Sequence, residues 1–222
     1  MSVEQQSYSA EQQSTYNDSF HKLLRMFTLS ILISFVGSFI GMFLPPALFL
    51  PLVIVELVML VGAFFIRRKG KSIGYGFVYA FCLISGITVF PSIAYYTSVG
   101  GSSLVSTAFL VTGIMFTGLT AYAYFSKRDF SFLGSFLTIG ILVLIVFSLI
   151  GLFTGGFGGT LGLIIAAFGV IVFSGYILYD ISQYRQGLAD EEIPLAVLNL
   201  YLDFINLFLF VLRLFGILSD DD

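Results

Sequence analysis

Apolar residues run through this chain in blocks too long for the core of a soluble domain. Seven stretches of about twenty residues or more carry few charges, which is the length needed to cross a hydrocarbon layer of roughly 30 Å. They are expected over 23–44, 47–66, 73–96, 104–125, 130–153, 161–181 and 194–218. Lipid offers no water to backbone N–H and C=O groups, so each block is expected as a helix that satisfies them internally. The connections are short, which predicts antiparallel neighbours. Pro45 and Pro46 divide the first block from the second, and Pro51 and Pro91 predict kinks inside spans. The reading is an all-α, polytopic integral membrane protein. Residues 1–21 are expected as a disordered cytosolic tail, 22–218 as a seven-helix transmembrane domain and 219–222 as an acidic C-terminal tail. The first twenty residues lack a basic stretch ahead of an apolar core, so no cleaved leader is expected.

Charge then orients the helices. Lys22 and Arg25 open the first block, Arg67, Arg68, Lys69 and Lys71 fill the second connection, Lys127 and Arg128 the fourth, and Arg185 the sixth. The first, third and fifth connections hold no Lys or Arg. Basic loops stay cytosolic, which predicts a cytosolic amino terminus and, after seven crossings, a carboxyl terminus on the outer side.

Composition agrees, with 58% hydrophobic and 10% charged residues, and it narrows the chemistry. A single cysteine, Cys82, and a single histidine, His21, leave no disulfide framework and no zinc-ligand set. The basic loops are too short for a nucleic-acid footprint. No cofactor and no enzymatic activity are expected. The partners expected are the bilayer, protons and cations, with oligomeric state open and a monomer compatible.

Against that apolar background, three acids stand inside spans. A charge at bilayer depth costs at least ~2.5–3.5 kcal/mol on insertion scales, so each is a candidate for function. Asp180 and Asp203 flank a polar turn, about ten residues before it and a little more than ten after it, which predicts similar depth on adjacent antiparallel helices. Two carboxylates close together in low dielectric cannot both ionise cheaply, so they are expected to share a proton. Asn199, Asp203, Asn206 and Arg213 recur at i, i+4, i+7 and i+14, one polar stripe along the last helix, which interhelical hydrogen bonding would also explain. Glu56 is the third acid, and its partner is expected on another helix: a proton, a cation or Arg213.

Glycine carries two further expectations. Gly37 and Gly41, with Ser30 and Ser34 at helical spacing, predict a close helix approach. The run Gly155-Gly156-Phe157-Gly158-Gly159 lacks the preceding strand and following Lys of a phosphate cradle and is expected as a flexible connection.

The run Gly175-Tyr176-Ile177-Leu178-Tyr179-Asp180, followed by Asn199-Leu200-Tyr201-Leu202-Asp203-Phe204-Ile205-Asn206-Leu207-Phe208 and by Leu212-Arg213, resembles the Bax inhibitor-1 family, or transmembrane Bax inhibitor motif proteins. The resemblance takes in Glu56 with Arg67 beyond it in the second helix, and Gly86 with Phe90-Pro91 in the third. It covers essentially the whole chain and looks like a compact bacterial member, which would place it in the plasma or inner membrane. The resemblance implies a bundle wrapped around the last helix and a pH-sensitive calcium leak, with calcium as the transported ion. Asp180 and Asp203 would then be the proton sensor, ion gate and calcium ligands, and Arg67 the latch that closes on them. Glu56, Arg213, Asn199 and Asn206 would lie along the ion pathway.

Other readings share the paired acids. An intramembrane aspartyl protease would resemble its relatives in a Gly-x-Gly-Asp before the second acid, but Leu200, Tyr201 and Leu202 stand there. A proton-coupled transporter, or a non-conducting scaffold that regulates other membrane proteins, are the alternatives.

Overall fold

A computed structural model describes residues 3–126 and 128–220, and side chains from residue 18 on except those of residues 152 and 220. Among the described residues there are six helices and no strand: α1 (Val3–Gly41), α2 (Phe49–Arg68), α3 (Tyr75–Phe125), α4 (Leu133–Thr154), α5 (Gly159–Tyr184) and α6 (Ile193–Asp220). A short 3-10 turn, Pro46–Leu48, leads into α2. All six contain a segment long and apolar enough to cross a membrane.

All seven expected segments are helical among the described residues, but they form six continuous elements, because one of these, α3, is two helices joined at a kink. The third and fourth blocks run together in α3, whose 51 residues would extend about 77 Å if straight, more than twice the hydrocarbon thickness. The division between them is a single residue, Gly101, at φ 76 and ψ 174. That backbone region is open essentially to glycine alone, so the helix breaks there without a loop.

Three smaller expectations change as well. The tail expected to be disordered, 1–21, is helical from Val3, with residues 1 and 2 outside the described residues. Its Gln, Glu and Ala residues are good helix formers, and the apolar part of α1 supplies the nucleus that a short polar peptide lacks. Ser219 and Asp220 complete α6, leaving Asp221 and Asp222, like Lys127, outside the described residues. Pro51 falls in the first turn of α2, where its missing N–H has no intrahelical acceptor to lose, and Pro91 lies inside α3, ten residues before Gly101.

The chain divides into two compact units, Met1–Pro91 with Tyr184–Tyr201, and Ser92–Gln183 with Leu202–Asp222. In the first unit the core is built from Leu23, Val78, Phe81, Leu198, Leu200 and Tyr201. Glycines set how closely its helices approach: a Cβ on Gly86 would collide with the Ser34 carbonyl oxygen, and one on Gly37 with that of Leu83. The α1 stripe of small residues thus packs on α3. In the second unit, Ile165, Val172, Phe173, Ile177, Leu207, Leu212 and Leu137 form the core. There α5 meets α6 where the Phe210 ring lies on Gly169 and the Ile217 side chain on Gly162, and α4 meets α5 where Leu137 lies on Gly175.

Candidate functional site

The contacts of α5 with α6 in the second unit fix an antiparallel register. Ile217 sits on Gly162, and Phe210 stacks on Phe173 with ring centroids 5.7 Å apart. Continued along both helices, that register brings Asp180 opposite Asp203, and the two carboxylates lie within electrostatic range of each other. Both are buried, Asp180 at 8% and Asp203 at 5% exposure. The depth match does not arise from equal distances to the turn. Asp180 lies four residues before the end of α5 and Asp203 ten after the start of α6, so the first turns of α6 extend past the end of α5.

The surroundings of the pair are aromatic and aliphatic. Phe204, next to Asp203, packs edge-on against Phe109 and Phe116 of α3 at 5.9 and 5.5 Å. Tyr176 stands one helical turn before Asp180, within electrostatic range of both acids. Asp203 Oδ2 is fully buried and has no hydrogen-bond partner among the described residues. An acceptor left bare in such a setting costs free energy on the order of kilocalories unless a proton, water or cation meets it. The pair therefore has the chemistry of a proton- or cation-responsive group.

Glu56 is placed differently. It is the eighth of the twenty residues of α2, half-buried, and its Oε2 accepts a 2.7 Å hydrogen bond from the Thr88 hydroxyl of α3. Thr88 is thus a hydrogen-bond partner of Glu56 within the first unit. The same unit holds a second buried polar contact, between Ser34 and the Tyr201 hydroxyl at 2.8 Å. Thr88, Tyr176 and Tyr201 were not singled out from the sequence. A hydroxyl in an apolar block was the only signal, and many hydroxyls there simply bond their own helix, as Thr112 does to Ala108.

The remaining expected residues disperse. Asn199 donates to the Tyr184 hydroxyl at 2.9 Å, and Asn206 to the Leu202 carbonyl of its own helix at 2.8 Å. Arg213 donates to the Phe157 carbonyl at 2.9 Å. The α6 stripe thus serves different partners along its length. Arg67 is exposed in the last turn of α2, where a cation complements the helix dipole, and among the described residues it makes no ion pair. Among the described residues no three His, Cys, Asp or Glu side chains gather as a metal-holding group.

Comparison with known proteins supplies the lineage. Residues 17–220 match the family described as inhibitor of apoptosis-promoting Bax1. The chain is 35% identical to an uncharacterized membrane protein of Vibrio cholerae over 76% of its own length and 78% of that protein's. It is 33% identical to a Helicobacter pylori protein over 89% of this chain and 86% of that one. It is also 37% identical to the Golgi anti-apoptotic protein of vaccinia virus, over 70% of this chain and 63% of the viral one.

Proposed function

Since the chain belongs to the Bax inhibitor-1 family, the inhibitors of apoptosis-promoting Bax1, we propose that it is a pH-sensitive calcium leak channel gated by Asp180 and Asp203. The observation that carries this reading is the buried Asp203 Oδ2, without a hydrogen bond and facing the field of a second buried carboxylate. Structural glue would have been satisfied by an amide. An ionisable pair adds a charge that depends on pH and oxygens that suit a hard cation. Two carboxylates fall short of the six to eight oxygens of a resident calcium site, so calcium is cargo rather than cofactor. The protein would act without covalent chemistry, as a multi-pass protein of the plasma or inner membrane with its amino terminus cytosolic.

The sign of the response follows from the pair. At alkaline pH the acids hold one or two negative charges, and in this reading Arg67 answers that charge and the pathway closes. Protonation removes the charge, and a closure worth about 1–3 kcal/mol is lost, which shifts a two-state gate roughly 5- to 150-fold. Acidification therefore raises the leak. The test is purified protein in liposomes loaded with a calcium dye, assayed across pH. Flux that rises as pH falls, and that loses this dependence in Arg67→Gln, supports the reading. A wild-type protein that passes no calcium at any pH overturns it in favour of a scaffold.

A further inference from the structure

Phe157 is the one large side chain in the run from Gly155 to Gly159, and it is half-buried while residues 153–156 and 158–161 are exposed. Its ring packs edge-on against Phe147 of α4 at 5.9 Å and approaches Gly151, where an added Cβ would come within 3.4 Å of the ring. Its carbonyl oxygen lies against the start of α5, where a Cβ on Gly162 would collide with it. The same oxygen accepts the Arg213 hydrogen bond from α6. Left-handed backbone at Gly155, Gly156 and Gly159, with φ of 80, 94 and 54, turns the chain sharply on both sides of this residue. The expectation of a merely flexible connection is corrected: its middle is seated on three helices.

We propose that Phe157 is a wedge held in place by Arg213, and that together they form a second closure in the α4–α6 group, remote from the acid pair. The inference rests on the leak reading for its consequence, though not for its geometry. Phe157 precedes the N-terminal end of α5, whereas Asp180 lies about 30 Å away along that helix by residue count. A half-buried guanidinium inside a membrane span is expected to meet a carboxylate; this one instead grips a main-chain carbonyl, which ties the connection to α6 by a charge-assisted bond. Arg213 is thus a positioning residue that acts through Phe157. Tyr96 of α3 lies within electrostatic range of the guanidinium, and its ring covers Gly216 one turn further along α6.

The chain has no tryptophan, so Phe157→Trp provides a single fluorescent reporter at the wedge. In the full-length protein in liposomes its emission should be that of a sheltered indole, poorly quenched by acrylamide. Adding Arg213→Gln should shift the seated-to-released ratio roughly tenfold or more, as expected for losing a hydrogen bond to a charged group, with red-shifted emission and stronger quenching. Arg213→Lys should restore much of the shelter, because an ammonium can donate to the same carbonyl. If the indole itself does not seat, Phe147→Trp reports from the opposing ring, with Gly162→Ala dislodging the carbonyl independently. Quenching that is the same with and without Arg213 overturns the wedge. Calcium flux separates the two levels: Arg213→Gln should raise the leak several-fold while acidification still increases it. A protein with no leak but with Arg213-dependent quenching keeps the wedge and removes the channel reading.

Discussion

Glu56 of α2 and Asp203 of α6 are both carboxylates inside apolar helices, yet their surroundings differ in kind. Glu56 is half-buried on a helix with a single buried residue, Ala63, and it has a hydroxyl donor at 2.7 Å. Asp203 is buried on a helix most of whose apolar span is buried, unlike that of α2, and one of its oxygens has no hydrogen-bond partner among the described residues. The insertion penalty of an acid therefore does not by itself identify a gate. What separates the two is whether the neighbouring helix completes the hydrogen bonding. Where it does, as Thr88 does for one oxygen of Glu56, the acid joins two helices. Where a second acid faces it instead, the arrangement retains an electrostatic conflict that protons or cations can relieve.

The largest effect is expected at Asp203. Asp203→Asn fills the same space and removes the ionisable oxygen, so a pH response of roughly 5- to 150-fold in calcium flux should collapse toward none. Asp180→Asn should flatten the response at least as strongly, and both variants should insert normally, since a neutral amide is less costly in lipid than an acid. Dye-loaded liposomes read both; a full pH response in Asp203→Asn would mean that the bare oxygen has no part in gating.

The next effect is structural and lies in the other region. Thr88→Val keeps the shape but takes the donor from Glu56, which should destabilise by about 1–3 kcal/mol, toward the lower figure because Glu56 is only half-buried. Melting in detergent should fall by several degrees, while the sign of the pH response in flux stays. If Thr88→Val instead abolishes the pH response, the distinction between the two acids fails. Glu56→Gln sharpens the same point with a smaller change. The amide oxygen still accepts from Thr88, so stability should hold within about 1 kcal/mol, whereas cation entry should drop if the carboxylate lies on the pathway.

Much of this comparison was legible in the sequence. Apolar blocks and isolated acids stand out because lipid makes each polar group exceptional, whereas the register of Asp180 against Asp203 is fixed by the packing of α5 on α6 and not by equal distances to the turn. The partners were not legible. Thr88 lies 32 residues from Glu56 and bonds it only because α2 and α3 adopt one particular register. Gly101 reads in the sequence as a polar, glycine-containing connection, but a glycine can break a helix in one residue, so a connection of several residues was expected where the structure needs none. Phe157 was misread for the opposite reason: composition marks a glycine run as flexible, while the single ring within it has a seat that only the packed helices define.

The smallest effect should come from the ion pair that lies outside this contrast. Lys22 Nζ approaches Asp190 Oδ1 at 3.0 Å, joining the start of the first span to the connection between α5 and α6, with the two side chains 40% and 75% exposed. By distance alone it rivals the Glu56–Thr88 bond, so it tests whether distance or burial decides. Exposed pairs gain little because water and salt screen them and because ordering two long side chains has an entropic cost. Lys22→Gln should therefore leave the melting temperature and the pH response of the leak unchanged, and raising the salt concentration should mimic the substitution. A clear loss of stability in Lys22→Gln, greater than that of Thr88→Val, would reverse the order. It would mean that the connection bearing Asp190 is held by charge, and that the position of the acid-bearing helices depends on a contact at their end rather than on the packing of Phe210 against Gly169 and Phe173.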